Sequence, residues 1–202
     1  MVFAQPVRRS IRLSGFDYAS ANWYYVTICT QDRECFLGKI NGGIISLNIV
    51  GVMVETWWRR LGEKFPWIRL DEYIIMPNHI HGIIHIVRAN PRIRPYEQTA
   101  ISTNNPQPIT RLIKTPGENM VSPLPINNTY DGLGQIMSWF KRMTTNVYIQ
   151  NVKENNWPHF NKRLWQRNYY EHVIRDENDL KRIRGYIHDN PMNWEKDKLH
   201  HP

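Results

Sequence analysis

The sequence predicts an α+β domain of two layers, an antiparallel sheet with helices packed on one face. Three observations carry this. The runs 23–30, 67–76 and 79–87 are rich in β-branched and aromatic residues, as strands are. Apolar residues recur at helical spacing near 49–61, 133–147 and 180–187. The segments follow one another as strand, helix, strand, strand, helix, a short strand and helix, which fits two layers around one core.

Residues 1–21 are basic and turn-rich. Trp23-Tyr24-Tyr25-Val26-Thr27-Ile28-Cys29-Thr30 reads as a strand, and 31–43 as a loop or small hairpin around Phe36 and Leu37. Asn48 suits an N-cap for a helix carrying Ile49, Val50, Met53 and Trp57, ending near Leu61. Trp67–Leu70 and Tyr73–Met76 form a second strand, Asn78 makes a turn, and 79–87 returns as a third. Along that return His79, His81, Ile83 and His85 share one face, while Ile80, Ile84 and Ile86 share the other. One polar-lined face beside one apolar face predicts helical cover on a single side.

From Arg88 to Tyr130 the chain carries seven prolines and many asparagines without a sustained period. That segment is too long for an ordinary loop and too poor in apolar residues for a core of its own. It reads as a flexible Pro/Asn-rich insertion, either gripping a partner or simply a variable loop. Leu133, Ile136, Phe140, Met143 and Val147 then mark a helix that exposes Lys141 and Arg142. An Asn-rich break at 151–156 follows, then an irregular stretch over 164–170 with a short edge strand. Asp176 caps a last helix carrying Leu180, Ile183 and Ile187, which stops at Asn190-Pro191. Apart from that helix the order is a split β-α-β arrangement, a ferredoxin-like sandwich. The whole of 1–202 is expected to be a single domain.

A formal charge of +8 and a pI near 9.6 point to a polyanionic partner, most simply nucleic acid. With no run of 18 apolar residues and no signal-peptide core, the expectation is a soluble cytoplasmic protein without a membrane partner. Cys29 and Cys35 lack the spacing of a redox or zinc pair and are expected to stay reduced.

His79 and His81, separated by one core residue, make half of a metal site. Two imidazoles are too few to hold an ion, so a third oxygen or nitrogen ligand is expected. On the last helix Tyr186 and Asn190 stand four apart, on one face beside Ile183 and Ile187. An attacking hydroxyl and a ligand amide would then lie one turn apart, although such pairs also arise from packing alone. His85 reads as a substrate or structural histidine, His188 as facing away from Tyr186, and His172 as a DNA contact or a strand-end residue. Tyr24, Trp67 and Tyr73 are aromatics that could stack on unpaired bases.

Several blocks together carry a resemblance. They are Arg12-Leu13 through Tyr18 leading into Tyr25–Thr30, then Met76-Pro77-Asn78-His79-Ile80-His81-Gly82, then Trp165-Gln166-Arg167. Tyr170-Glu171-His172-Val173-Ile174-Arg175 and Tyr186-Ile187-His188-Asp189-Asn190-Pro191 complete the series. In this order they resemble the IS200-like (HUH, single-tyrosine) transposase superfamily, and within it the REP-associated tyrosine transposases. The resemblance implies a metal-binding pair in His79 and His81, a further ligand in Asn190, and a catalytic tyrosine in Tyr186. The ion would be Mg²⁺, or Mn²⁺ in its place. The partner would be a single-stranded DNA hairpin of the REP kind, met by a monomer or a homodimer in the bacterial nucleoid. Arg8, Arg9, Arg12, Lys141, Arg142 and Arg167 are phosphate-contact candidates in this reading, with Trp165 packed under the site. A nucleic-acid-binding module without catalysis and a metal-dependent hydrolytic nuclease remain as alternatives.

Overall fold

A computed structural model describes residues 18, 20–87 and 132–200 of the 202-residue chain. Arg8, Arg9, Arg12 and the 88–130 insertion lie outside the described residues. The main elements are β1 (Asn22–Cys29), β2 (Gly38–Asn41), β3 (Ile44–Leu47), α1 (Ile49–Lys64), β4 (Ile68–Ile75), β5 (His79–Ile86), α2 (Leu133–Glu154), β6 (Tyr170–Ile174) and α3 (Glu177–Asp189). Four strands form an antiparallel sheet in the order β4-β5-β1-β6, and β2 pairs with β3 in a separate hairpin. With α1 and α2 between the strands, this is the split β-α-β connectivity the sequence predicts.

The alternation of β5 divides the molecule. Ile80, Ile84 and Ile86 join Tyr24, Val26 and Ile28 of β1 in the main core, closed by Val54, Trp58 and Leu61 of α1 and Ile136, Met137 and Phe140 of α2. Gly82 sits on this face because a Cβ there would lie 2.3 Å from the Trp58 ring. Asn48 caps α1 as expected, its side chain accepting from the amides of Val50 and Gly51.

Helices α1 and α2 cover this face, but the sheet is not covered on that side alone, contrary to what the alternation of β5 suggests. The third helix lies across the opposite face, where Leu180, Ile183 and Ile187 pack on Tyr25, Ile83 and Ile174. Asp176 caps it, accepting from the Asp179 amide at 2.8 Å. Arg184 clamps it to β4 through two hydrogen bonds to the Asp71 carboxylate, each 2.7 Å. Two boundaries differ from expectation. α2 runs on through the Asn-rich stretch to Glu154, because asparagine is only a weak helix former and does not break a helix already packed. The edge strand lies later than 164–170, at β6, where pairing with β1 sets its position.

Candidate active site

The register of the sheet assembles the site. Thr27 faces His81 and Cys29 faces His79 across β1 and β5. Tyr25 faces His172 and Thr27 faces Tyr170 across β1 and β6. Directly paired residues share a face, so these side chains stand on the face that seats α3, at and beyond the Tyr25 end of its apolar patch. The helix adds Tyr186 and Asn190 above them, and all but the buried His79 line a cavity of about 910 Å³.

His79 and His81 are buried, with their Nε2 atoms 2.9 Å apart. Burial pushes His79 down to about 4 and holds His81 well below the usual imidazole value, so both rings are neutral near pH 7. His81 turns its Nδ1 to the Tyr25 hydroxyl at 2.7 Å and the Thr27 hydroxyl at 2.9 Å. The Nδ1 of His79 meets the Asn78 side-chain oxygen at 2.7 Å. Each ring thus spends one nitrogen on the protein and presents the other to the same point, as metal-ligating histidines do.

A third group reaches that point from beyond α3. Pro191 opens a 3-10 turn over Pro191–Lys196 directly after the helix, and the chain doubles back. It brings Trp194 to 6.0 Å from the His79 ring and the Asp197 carboxylate to 3.8 Å from His79 Nε2. One Asp197 oxygen accepts from the Leu199 amide, and the other is buried without a hydrogen bond. Ligand atoms of His79, His81 and Asp197 all lie within 4.8 Å of one another. The Asn190 side-chain oxygen is likewise buried without a hydrogen bond. Two unpaired buried oxygens beside two imidazole nitrogens held 2.9 Å apart are costly unless a cation satisfies them. The donor set therefore fits a divalent ion, held by His79, His81 and Asp197, with Asn190 beside them.

Asp197 was not among the expected ligands. It lies past the proline that ends the last helix, in no motif, and only the 3-10 reversal carries it back to the histidines.

Tyr186 is 44% exposed, enough for its ring to meet a substrate. It packs edge-on against His81, with ring centroids 5.3 Å apart, and against Tyr25. Burial and the Asp197 charge raise its phenol above the ordinary value, while hydrogen bonds with Asn190 and Tyr25 oppose this. Tyr25 is pushed up more strongly, mainly by burial.

The remaining expected residues divide. Arg142 and Arg167 are exposed. Lys141 is not a free phosphate contact, because its ammonium donates to the carbonyls of Gln166, Arg167 and Asn168. Burial lowers it to about 8. Trp165 offers no face to nucleic acid, since it is buried against Phe140 and donates to the Thr144 hydroxyl. Tyr24 and Trp67 are buried, and Tyr73 is tied to Arg59 and Glu55, so none presents a stacking face. Exposed Tyr170 lines the cavity instead. His85 stacks on Trp23 at 4.1 Å, His172 bonds the Asp179 carboxylate, and His188 is exposed beside Asp189. The rim of the cavity carries Arg33, Arg182, Lys196 and Lys198. Among the described residues no helix is long and apolar enough to cross a membrane.

No family model matches the chain. A Haemophilus influenzae protein, described as uncharacterized, is 36% identical over 196 residues, spanning 96% of this chain and 93% of that protein. Among solved structures, a REP-associated tyrosine transposase bound to a REP hairpin is similar with a TM-score of 0.52 and 14% identity. That likeness covers 96% of this chain and 77% of the other. The chain therefore belongs to one family with the Haemophilus influenzae protein, and its fold is that of the REP-associated tyrosine transposases.

Proposed function

We propose that the protein is a metal-dependent, single-tyrosine transposase or endonuclease acting on single-stranded DNA beside a hairpin. The observation that carries this reading is the convergence of a half-exposed tyrosine with two neutral histidines, a buried carboxylate and an amide oxygen on one basic-rimmed cavity. A structural packing role accounts for Tyr186 alone. It leaves the two unpaired buried oxygens beside it unexplained.

In this mechanism the Tyr186 oxygen attacks the scissile phosphorus and forms a 5′-phosphotyrosine, while the bond to the neighbouring 3′ oxygen breaks. The leaving oxygen takes a proton and departs as a 3′-hydroxyl. The phenol proton passes to solvent through the open cavity. A DNA 3′-hydroxyl then reverses the same steps, so the phosphodiester energy is conserved and no nucleotide cofactor is consumed. A bound Mg²⁺ or Mn²⁺ would withdraw charge from the phosphate and offset the Asp197 field that keeps the phenol protonated. Tyr25 and His81 pack against the phenol ring and fix its orientation, with Asn190 one turn away on the same helix. Arg33, Lys196, Lys198, Arg142 and Arg167 hold the phosphate backbone, with Arg8, Arg9 and Arg12 expected to extend that contact. Exposed Tyr170 offers a face for an unpaired base. The approach of Tyr186 to His81 of its own chain favours a site built within one chain, whether the protein is a monomer or a homodimer.

Denaturing electrophoresis of the full chain with a hairpin-bearing oligonucleotide and Mn²⁺ tests this. The wild type should yield a covalent protein–DNA species. Tyr186→Phe should yield none while binding the hairpin with unchanged affinity. An adduct in the Phe variant would overturn the assignment. Cleavage without any adduct would identify a hydrolytic nuclease, and binding without cleavage a binding module.

A further inference from the structure

We infer that Asn78 is a positioning residue that holds His79 in the tautomer with an unprotonated Nε2 and holds the Asp197 turn against the same point. The inference rests on the metal-site reading above. Asn78 is buried, and every side-chain atom able to hydrogen-bond is committed. Its Nδ2 donates to the backbone carbonyls of Arg33 at 3.1 Å and Leu199 at 2.8 Å. Carbonyl oxygens only accept, so the amide cannot be turned the other way. The Oδ1 must therefore face His79 Nδ1, and since Oδ1 only accepts, the ring proton sits on Nδ1. A neutral imidazole has one such proton. His79 Nε2 is thus unprotonated, an acceptor 2.9 Å from His81 Nε2 and 3.8 Å from the Asp197 carboxylate.

The same amide governs the second ligand. The Leu199 carbonyl is bound by Asn78, and the Leu199 amide donates to Asp197 Oδ1 at 2.8 Å. One side chain thereby spans the turn before β5 and the turn after α3, and joins two ligands that are far apart in sequence. Its third partner is the backbone of Arg33, which with Asp32 has a left-handed conformation, φ 58° and 55°. Such a conformation is unfavourable for these residue types and needs fixed partners. The Asn78 backbone carbonyl is itself pinned by the Thr30 amide at 2.9 Å and the Thr30 hydroxyl at 3.0 Å. A residue serving only as a turn former needs none of this.

Two variants separate positioning from simple support. Asn78→Asp keeps an acceptor for His79 Nδ1–H but loses both donated bonds, and Asn78→Leu loses all three. Both should unfold at lower temperature. Histidine ¹⁵N spectra of the metal-free full chain should show His79 as the Nδ1–H form in the wild type and in Asn78→Asp, and a mixture in Asn78→Leu. Mn²⁺ titration followed by electron paramagnetic resonance should show about 10–100-fold weaker binding for Asn78→Leu, and less than about tenfold for Asn78→Asp. An Nε2–H form of His79 in the wild type would overturn the inference. So would equal loss of Mn²⁺ affinity in the two variants, which would track the loosened fold alone. A wild type that shows the Nδ1–H form but takes up no Mn²⁺ would sink the metal reading and leave the tautomer assignment standing.

Discussion

At the scale of single residues, the site is dominated by groups that burial has made neutral. His79 and His81 lie under the last helix turn and the Trp194 ring, where the hydration a charged imidazole loses outweighs what the Asp197 carboxylate returns to His79. Unfolding returns them to water and to ordinary basicity. Below the unfolded value of about 6.5 the unfolded chain binds protons that the folded chain refuses, so stability falls as pH falls. The loss develops between pH 6.5 and the folded His79 value of about 4. For His79 alone it amounts to roughly 3 kcal/mol. Urea unfolding of metal-free protein at steps between pH 7 and pH 4 measures it. A midpoint that does not move over that interval would contradict the burial account.

At the scale of elements, α3 carries Tyr186 and Asn190, and it is held on the sheet by a small patch. Its apolar patch is Leu180, Ile183 and Ile187, small beside the core under α1 and α2. The fork between Arg184 and Asp71 supplies a directional anchor at the β4 bulge, and it holds the Asp71 carboxyl below its usual range. Arg184→Ala is expected to cost about 1 kcal/mol, because the pair is partly exposed. The loss should be local. Amide exchange should speed up along α3 while amides paired between β1 and β5 keep their protection. Equal acceleration in both places would show that α3 is not a separate unit of stability. The Asn190–Pro191 junction shows the same dependence on neighbours. Proline ends the α-helix as expected, but its fixed φ also starts a 3-10 turn, and that turn delivers Asp197.

At the scale of the molecule, the net charge of +8 is partly gathered at the mouth of the cavity by Arg33, Arg182, Lys196 and Lys198. Lys196 and Lys198 are exposed, so each can neutralise a phosphate and release its counterion. Replacing both with alanine should reduce the slope of log affinity against log salt by about 2 for DNA in general. Lys141→Ala should leave that slope unchanged and lower thermal stability, because its ammonium serves three carbonyls of the protein. Binding isotherms at several salt concentrations distinguish the two. An equal fall in slope for Lys141→Ala would mean its carbonyl cluster opens to admit DNA.

Local pattern was enough for most of the architecture. Alternation along 79–86 set which histidines share a face, helical spacing placed Tyr186 one turn from Asn190, and Asn48 and Asp176 marked the helix starts. These properties depend on neighbours within a few residues, and a chain displays them before it folds. What lay beyond reach depended on contacts distant in sequence. Asp197 bears on the site only because a turn reverses onto β5. Lys141 leaves the surface only because three carbonyls of another loop converge on it, and Trp165 is core only because Phe140 and Thr144 meet it. Asn78 is the sharpest case. Its neighbours in sequence mark it as a turn residue, whereas three hydrogen bonds to separate parts of the chain set which nitrogen of His79 carries the proton. Periodicity records which face a side chain takes, but the partner waiting on that face is set by how the chain closes on itself.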